Sequence, residues 1–359
     1  MTPVPVLVPH IGPLPAGPRN ALTDVAGVTV GHCTLDDGAV QTGVTVVRPH
    51  PGDPFRERVP AAAAVINGFG KSVGLVQVEE LGLLDTPIAL TNTFSVPAVV
   101  AAQIRQCIAA NPETGRRLQT VNPLVLECND GHLNDIQRMA VTEVHYRQAH
   151  DGAGVDVPQG AVGAGRGMGC FGAKGGIGTA SRRTPGGHTL GALVLSNFGK
   201  PGQCTLAGRP LGAALAPALA AATAPAAPFG PDKGSIILLL ATDAPLDARQ
   251  LRRVAVRAGA GLARTGSVFG HASGDIALAF STAYTLPLMA HSPSPAPQML
   301  RDDALDDLFQ AAADATEQAI LHSMWHATTV RGRDGHVRPS LRDLLGPDPF
   351  GLLPAATAP

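Results

Sequence analysis

Charge is scarce in this chain. Only 15% of the 359 residues are Asp, Glu, Lys or Arg, and the formal net charge is -1. That leaves no basic footprint with which to grip a phosphate backbone, so nucleic acid is excluded as the expected partner. The five cysteines, Cys33, Cys107, Cys128, Cys170 and Cys204, are odd in number, scattered, and form no C-x-x-C pair. A disulfide framework is therefore not expected, and buried reduced thiols are. The first twenty residues have no basic start followed by an apolar core, and prolines interrupt them repeatedly, so no secretory signal is read there. No apolar run reaches the roughly 20 residues of a membrane helix. These absences together predict a cytoplasmic protein with no membrane partner. There is no H-E-x-x-H, and His32, His132, His188 and His271 read as loop or packing residues, so neither a metal nor another cofactor is expected. No internal repeat is apparent.

What the chain does have is apolar residues (45%), 42 glycines and 32 prolines, with no collagen-like period among the glycines. This is the composition of a loop-rich α/β enzyme with a substantial core. Strand-like runs fall at 25–30, 44–47, 62–66, 88–90, 121–126, 189–197 and 276–280, between Gly, Asn, Asp and Pro clusters. Residues 96–110 read as a helix ended by Asn111-Pro112. A second helix follows a cap at Asp247, carries Leu251, Val254, Ala258 and Leu262 at helical spacing, and stops at Gly266; a third spans about 304–326. Residues 159–178 are a glycine-dense loop. Residues 213–228 are mostly alanine with three prolines, which reads as a flexible linker reaching to 233, and the chain after about 345 reads as a loose tail.

The linker ends at Gly230-Pro231-Asp232-Lys233-Gly234, and Ser235 then opens the apolar run Ile236-Ile237-Leu238-Leu239-Leu240. A serine hydroxyl attacks poorly until a base removes its proton. Its own α-amino group, with a reference pKa of about 7.7–8.0, is one such base, and it exists only if the chain begins at that serine. Cleavage between Gly234 and Ser235 by Ser235 itself would create it. Taken alone, a Gly-Ser step before a strand is also what an ordinary turn looks like. Another serine competes: Gly70-Lys71-Ser72-Val73-Gly74 fits the G-x-S-x-G nucleophile elbow of α/β-hydrolase esterases and follows a strand-like run. Gly167, Gly169 and Gly172 make a G-x-G-x-x-G, but without a leading strand or a following acidic residue it does not read as a dinucleotide site.

A wider set of motifs discriminates between these readings. Gly234-Ser235-Ile236 through Ala241-Thr242-Asp243-Ala244-Pro245-Leu246, then Arg264-Thr265-Gly266-Ser267 and Gly270-His271-Ala272-Ser273-Gly274-Asp275, resemble the small subunit of the L-aminopeptidase/D-esterase and β-peptidyl aminopeptidase family of self-processing peptidases. Upstream, Asn20-Ala21-Leu22-Thr23-Asp24-Val25, Gln41-Thr42-Gly43-Val44-Thr45, Thr91-Asn92-Thr93, 130–135, 174–181 and 193–199 are similar to the same family in the same order. The resemblance implies a four-layer α/β/β/α sandwich formed by one catalytic domain, 1–359, cut into 1–234 and 235–359 and assembled as a homo-oligomer. It implies Ser235 as nucleophile, Ser273 as a second serine oriented by Asp275, Asn197 in the oxyanion hole, and Glu127 facing the free amine of a small peptide, amide or ester, with Asn129 beside it where some relatives have an aromatic. Acyltransferases on the same fold also self-cleave, but before a threonine, which this chain lacks at 235.

Overall fold

In the computed structural model, residues 8–222, 234–289 and 297–351 are described. Among the described residues the chain builds two large β-sheets with helices on their outer faces, besides three two-stranded hairpins. The first sheet is a hairpin, β1 (Thr29–Asp37) and β2 (Val40–Arg48), extended by β4 (Ile88–Asn92) and β5 (Leu124–Cys128), where β3 (Glu57–Gly68) belongs to the other sheet. Gly38 turns the hairpin at φ +53°, a conformation that costs glycine nothing. Helices α2 (Val96–Ala110) and α3 (Glu143–Asp151) cover its outer face, while the seven-residue α1 (Leu75–Leu81) follows β3.

The second sheet runs β3, β9 (Gly274–Ser281), β8 (Ser235–Thr242), β7 (Thr189–Asn197), β6 (Gly176–Arg183). β8 and β9 are parallel and every other neighbouring pair along that order is antiparallel. The parallel pair requires a crossover, and α5 (Ala248–Arg264) supplies it. Asp247 starts α5 by accepting from Gln250 N at 2.7 Å while Gln250 Oε1 accepts from Asp247 N at 3.2 Å, a reciprocal cap. Helix α6 (Asp306–Trp325) packs beside α5 and over β6 and β7.

Burial on both faces explains why β8 shows no alternation of apolar and polar residues. Ile236, Leu238 and Leu240 join a core with Leu251, Val254, Ala258 and Ala315 of the helices. Ile237, Leu239 and Ala241 instead meet Val47, Leu90 and Leu126 of the first sheet. Val44, Val46 and Val125 form a third core with Val99, Ala102 and Tyr146 of α2 and α3. Apolar strands sandwiched in this way read as continuous hydrophobic runs.

Close approach of α6 to β6 depends on small residues. A Cβ on Gly178 would overlap the Ala319 carbonyl and sit 2.6 Å from Ser323 N, both backbone atoms. Gly178→Ala is therefore expected to destabilise the fold by about 1–3 kcal/mol. Thermal unfolding would read this as a lower midpoint, and an unchanged midpoint would contradict the packing.

The structure departs from the sequence reading in several places. The start of the expected linker is a helix, α4 (Gly212–Ala222), despite Pro217. Leu211, Leu215 and Leu219 recur every four residues, and all three are buried in the core, a stripe that the alanine count masked. Residues 223–233 lie outside the described residues. Nor is the chain after 345 all tail: Phe350 is fully buried with its ring 5.7 Å from that of Trp325. The expected strand at 25–30 begins only at Thr29, because residues 25–28 form a turn in which Val28 N donates to Val25 O at 3.2 Å and Gly27 takes φ +87°. Within the glycine-dense loop, Gly169–Cys170 and Ala173–Lys174 pair as a two-stranded hairpin, and Gly176 already opens β6.

Candidate active site

Three neighbouring strands of the second sheet converge on Ser235. It is the first residue of β8, paired with Asn197 at the end of antiparallel β7 and with Gly274 at the start of parallel β9. The parallel pairing brings Ser273 and Asp275 to either side of the position facing Ser235, although they are distant in sequence. Ser235 Oγ donates to Gly234 O at 2.7 Å and accepts from Gly274 N at 3.2 Å. Its residue is only 5% exposed. Ser273 Oγ donates to Asp275 Oδ1 at 2.6 Å, and both residues are buried.

Backbone contacts make glycine necessary on both sides of this serine. A Cβ on Gly234 would lie 2.7 Å from Phe198 Cα and 2.9 Å from Asn197 O. One on Gly274 would lie 2.8 Å from Phe69 O and 3.2 Å from Ser235 Oγ. Asn67, at the end of β3, donates from Nδ2 to Gly270 O and Ser273 O, at 2.6 Å each, and so fixes the turn that delivers Ser273.

The half-buried Asn197 is oriented by two backbone groups. Its Oδ1 accepts from Gly169 N at 2.9 Å, and its Nδ2 donates to Asn129 O at 2.9 Å. An amide group has two N–H donors, so one remains after the bond to Asn129. Asn129 contributes its backbone here; its side-chain Oδ1 accepts from Gly131 N at 2.9 Å.

Glu127, only 4% exposed, arrives from β5 of the opposite sheet. Its Oε1 accepts from Lys71 N at 2.8 Å and its Oε2 from Thr93 Oγ1. Gly70 lies beside this carboxylate, where a Cβ would stand at ordinary van der Waals contact, 3.5 Å from Oε1. Three residues on, burial pushes the Asp130 carboxyl up to about 7, partly offset by hydrogen bonds from Thr42 and Asn134. On the exposed edge of the same loop, His132 stacks on His336 with centroids 4.6 Å apart. Burial, then the neighbouring Arg338, His336 and Arg333, lowers its pKa to about 4. Among the described residues no group of three or more His, Cys, Asp or Glu is placed to hold a metal ion, and no helix is long and apolar enough to cross a membrane.

Ser72 occupies the loop between β3 and α1, and its Oγ is buried with no hydrogen-bond partner among the described residues. A nucleophile elbow needs a base in contact with that hydroxyl, so the esterase alternative gains nothing from the structure. Thr93, Gly169, Gly274 and the Lys71 amide escaped the sequence reading as site residues. Three of the four act through backbone N–H groups, which every residue but proline carries; Thr93 and Gly274 stand inside family motifs named above, which gave their place in the chain but no role.

Known proteins share this arrangement of strands. The chain is 38% identical over 337 residues to a β-peptidyl aminopeptidase, BapA, of Sphingosinicella xenopeptidilytica, covering 88% of this chain and 83% of that protein. A solved structure from Pyrococcus horikoshii OT3 superposes with a TM-score of 0.85 at 46% identity, over 92% of this chain and 94% of the other. The L-aminopeptidase D-Ala-esterase/amidase of Ochrobactrum anthropi, described as a variant of the Ntn hydrolase fold, gives 0.83 at 34% identity, over 92% and 96%. The fold is thus mixed α/β with aminopeptidases of the Ntn hydrolase fold as neighbours, and the protein is a hydrolase of the aminopeptidase class. A model of peptidase family S58 matches residues 20–338, and the chain belongs to that family.

Proposed function

We propose that the protein is a self-processing aminopeptidase that cuts its own chain between Gly234 and Ser235 and then works through the freed Ser235. The observation that carries this reading is the Ser235 hydroxyl at 2.7 Å from the Gly234 carbonyl oxygen, at the head of a strand whose parallel neighbour begins at Gly274. Attack of Oγ on the Gly234 carbonyl carbon would form an ester and release the Ser235 amine; water would then cleave the ester and leave a carboxylate on Gly234. The three apolar cores support a four-layer α/β/β/α sandwich contributed jointly by the two pieces.

In the mature enzyme the Ser235 amine is the base that takes the Oγ proton and passes it to the leaving amine. Glu127 faces the free amine of a short peptide, amino acid amide or ester, and a buried carboxylate favours a cation over a neutral group. Asn197 donates to the oxygen of the tetrahedral intermediate. Ser273, held by Asp275, extends the hydrogen-bond relay at the nucleophile.

A denaturing gel with mass spectrometry tests the processing step. Active enzyme is expected to consist of residues 1–234 and 235–359, and a single intact chain with full activity would exclude the mechanism. The same preparation is expected to hydrolyse an aminoacyl p-nitroanilide and to refuse its N-acetylated form. Efficient turnover of the blocked substrate would remove Glu127 from its assigned role.

A further inference from the structure

The side chain of Lys174 is fully buried beneath the active site, an expensive place for an ammonium. Its Nζ donates to three backbone carbonyls, Gly165 O at 2.8 Å, Met168 O at 2.7 Å and Gly175 O at 2.8 Å. An ammonium has three N–H donors and no acceptor, so the cage satisfies it completely. Burial and the charges of Arg166 and Arg338 lower its pKa, while Asp130 works in the opposite direction.

Two of these carbonyls, those of Gly165 and Met168, belong to a turn with few side chains of its own to pin it, and the third is that of the residue after Lys174. Gly165 and Gly167 have no room for a Cβ: one on Gly165 would lie 2.5 Å from Ile177 N, and one on Gly167 would lie 2.6 Å from Asp130 Cβ. A glycine backbone packed this tightly gives up more conformational freedom than any other, so its geometry needs an external tie. Lys174 supplies one, and Gly175 N adds a bond to Met168 O at 3.1 Å. The peptide that leaves Met168 ends in the Gly169 N–H, which donates to Asn197 Oδ1. That bond, together with the one from Asn197 Nδ2 to Asn129 O, holds the amide in one orientation, which leaves one N–H for a developing oxyanion, where a flipped amide would present an oxygen.

We propose that Lys174 is a positioning residue for the reaction, holding the Met168–Gly169 peptide so that Asn197 meets the acyl oxygen with its donor. This rests on the reading of Asn197 as the oxyanion donor given above. It makes no contact with substrate; it acts through Asn197 alone.

A double-mutant cycle on an aminoacyl p-nitroanilide tests it, with kcat expressed per mole of processed chain. Asn197→Ala is expected to lower kcat by about 100-fold or more. Lys174→Met is expected to lower kcat by about tenfold or more with KM within twofold, and to cost less than about twofold when added to Asn197→Ala. Equal losses in both backgrounds, or an unchanged kcat, would overturn the proposal. If Asn197→Ala itself leaves kcat unchanged, the oxyanion assignment fails instead. Should Lys174→Met not fold, as judged by circular dichroism, Lys174→Gln, which retains a donor in the cage, takes its place in the cycle under the same criteria.

Discussion

Ser235→Ala is expected to remain a single chain of 359 residues and to hydrolyse aminoacyl p-nitroanilides at the background rate. The substitution removes one oxygen, and that oxygen has two duties. In the proposed mechanism it attacks the Gly234 carbonyl to free the terminus, and it attacks substrate afterwards. Each step lacks any other hydroxyl with the same placement: Ser273 Oγ donates to Asp275, and Ser72 lies in the loop between β3 and α1. Loss of a covalent nucleophile typically costs 10⁴-fold or more, about 10⁶ in the best-studied serine hydrolase. Ser72→Ala, by contrast, is expected to keep both processing and turnover within about twofold, since its buried hydroxyl has no hydrogen-bond partner to lose among the described residues. Circular dichroism on both variants separates chemistry from folding. Processing or turnover retained in Ser235→Ala, together with loss in Ser72→Ala, would transfer the chemistry to the elbow serine.

The second large effect is expected from Gly274→Ala, a change of one methyl group. The added Cβ would lie 2.8 Å from Phe69 O and 3.2 Å from Ser235 Oγ, so β9 or the 69–72 loop must shift. Either movement disturbs the Gly274 N–H that donates to Ser235 Oγ. Displacing a reacting group by about 1 Å can cost on the order of 100-fold. Processing is therefore expected to slow and kcat to fall by about 100-fold. The global unfolding midpoint should change much less, because the other residues of β9 remain in register with β8. Stopped time courses of precursor disappearance, read beside steady-state kinetics, measure both. Wild-type rates in this variant would mean that the β9 terminus does not set the position of the nucleophile.

Some of this architecture could be read from local pattern. Helix α2 ends where Asn111-Pro112 ends it, α5 starts where Asp247 caps it, and β7 occupies 189–197 as its apolar run suggests. Each is fixed by residues within a few positions of its own boundary. Strand order is a different matter. That β8 inserts between β7 and β9, and β9 between β8 and β3, depends on pairings between segments far apart in sequence, and strands buried on both faces carry no alternation to say which face meets which layer. Helix α4 was hidden because alanine dominates its composition and Pro217 interrupts it, whereas only its leucine stripe reaches the core. At the site, Ser235, Ser273, Asp275, Asn197 and Glu127 came from family motifs rather than from any spacing. The structure brings Asn197, Ser235 and Gly274 to adjacent places on three strands, and adds Gly169 N–H, Gly274 N–H and Thr93 around them.

The strand order also governs what a break at 234 would do to the particle. From 235 onward the chain enters the second sheet mainly as the β8–β9 pair, laced between β7 on one side and β3 on the other, both from the earlier part of the chain, and Leu286–Pro287 adds a short pairing to β3. Severing the backbone there creates two molecules by covalent count but no new sheet edge, because each ladder is already closed by the opposite piece. The halves would stay knitted, and the fresh amine would be left seated between two neighbouring strands rather than at a fraying end.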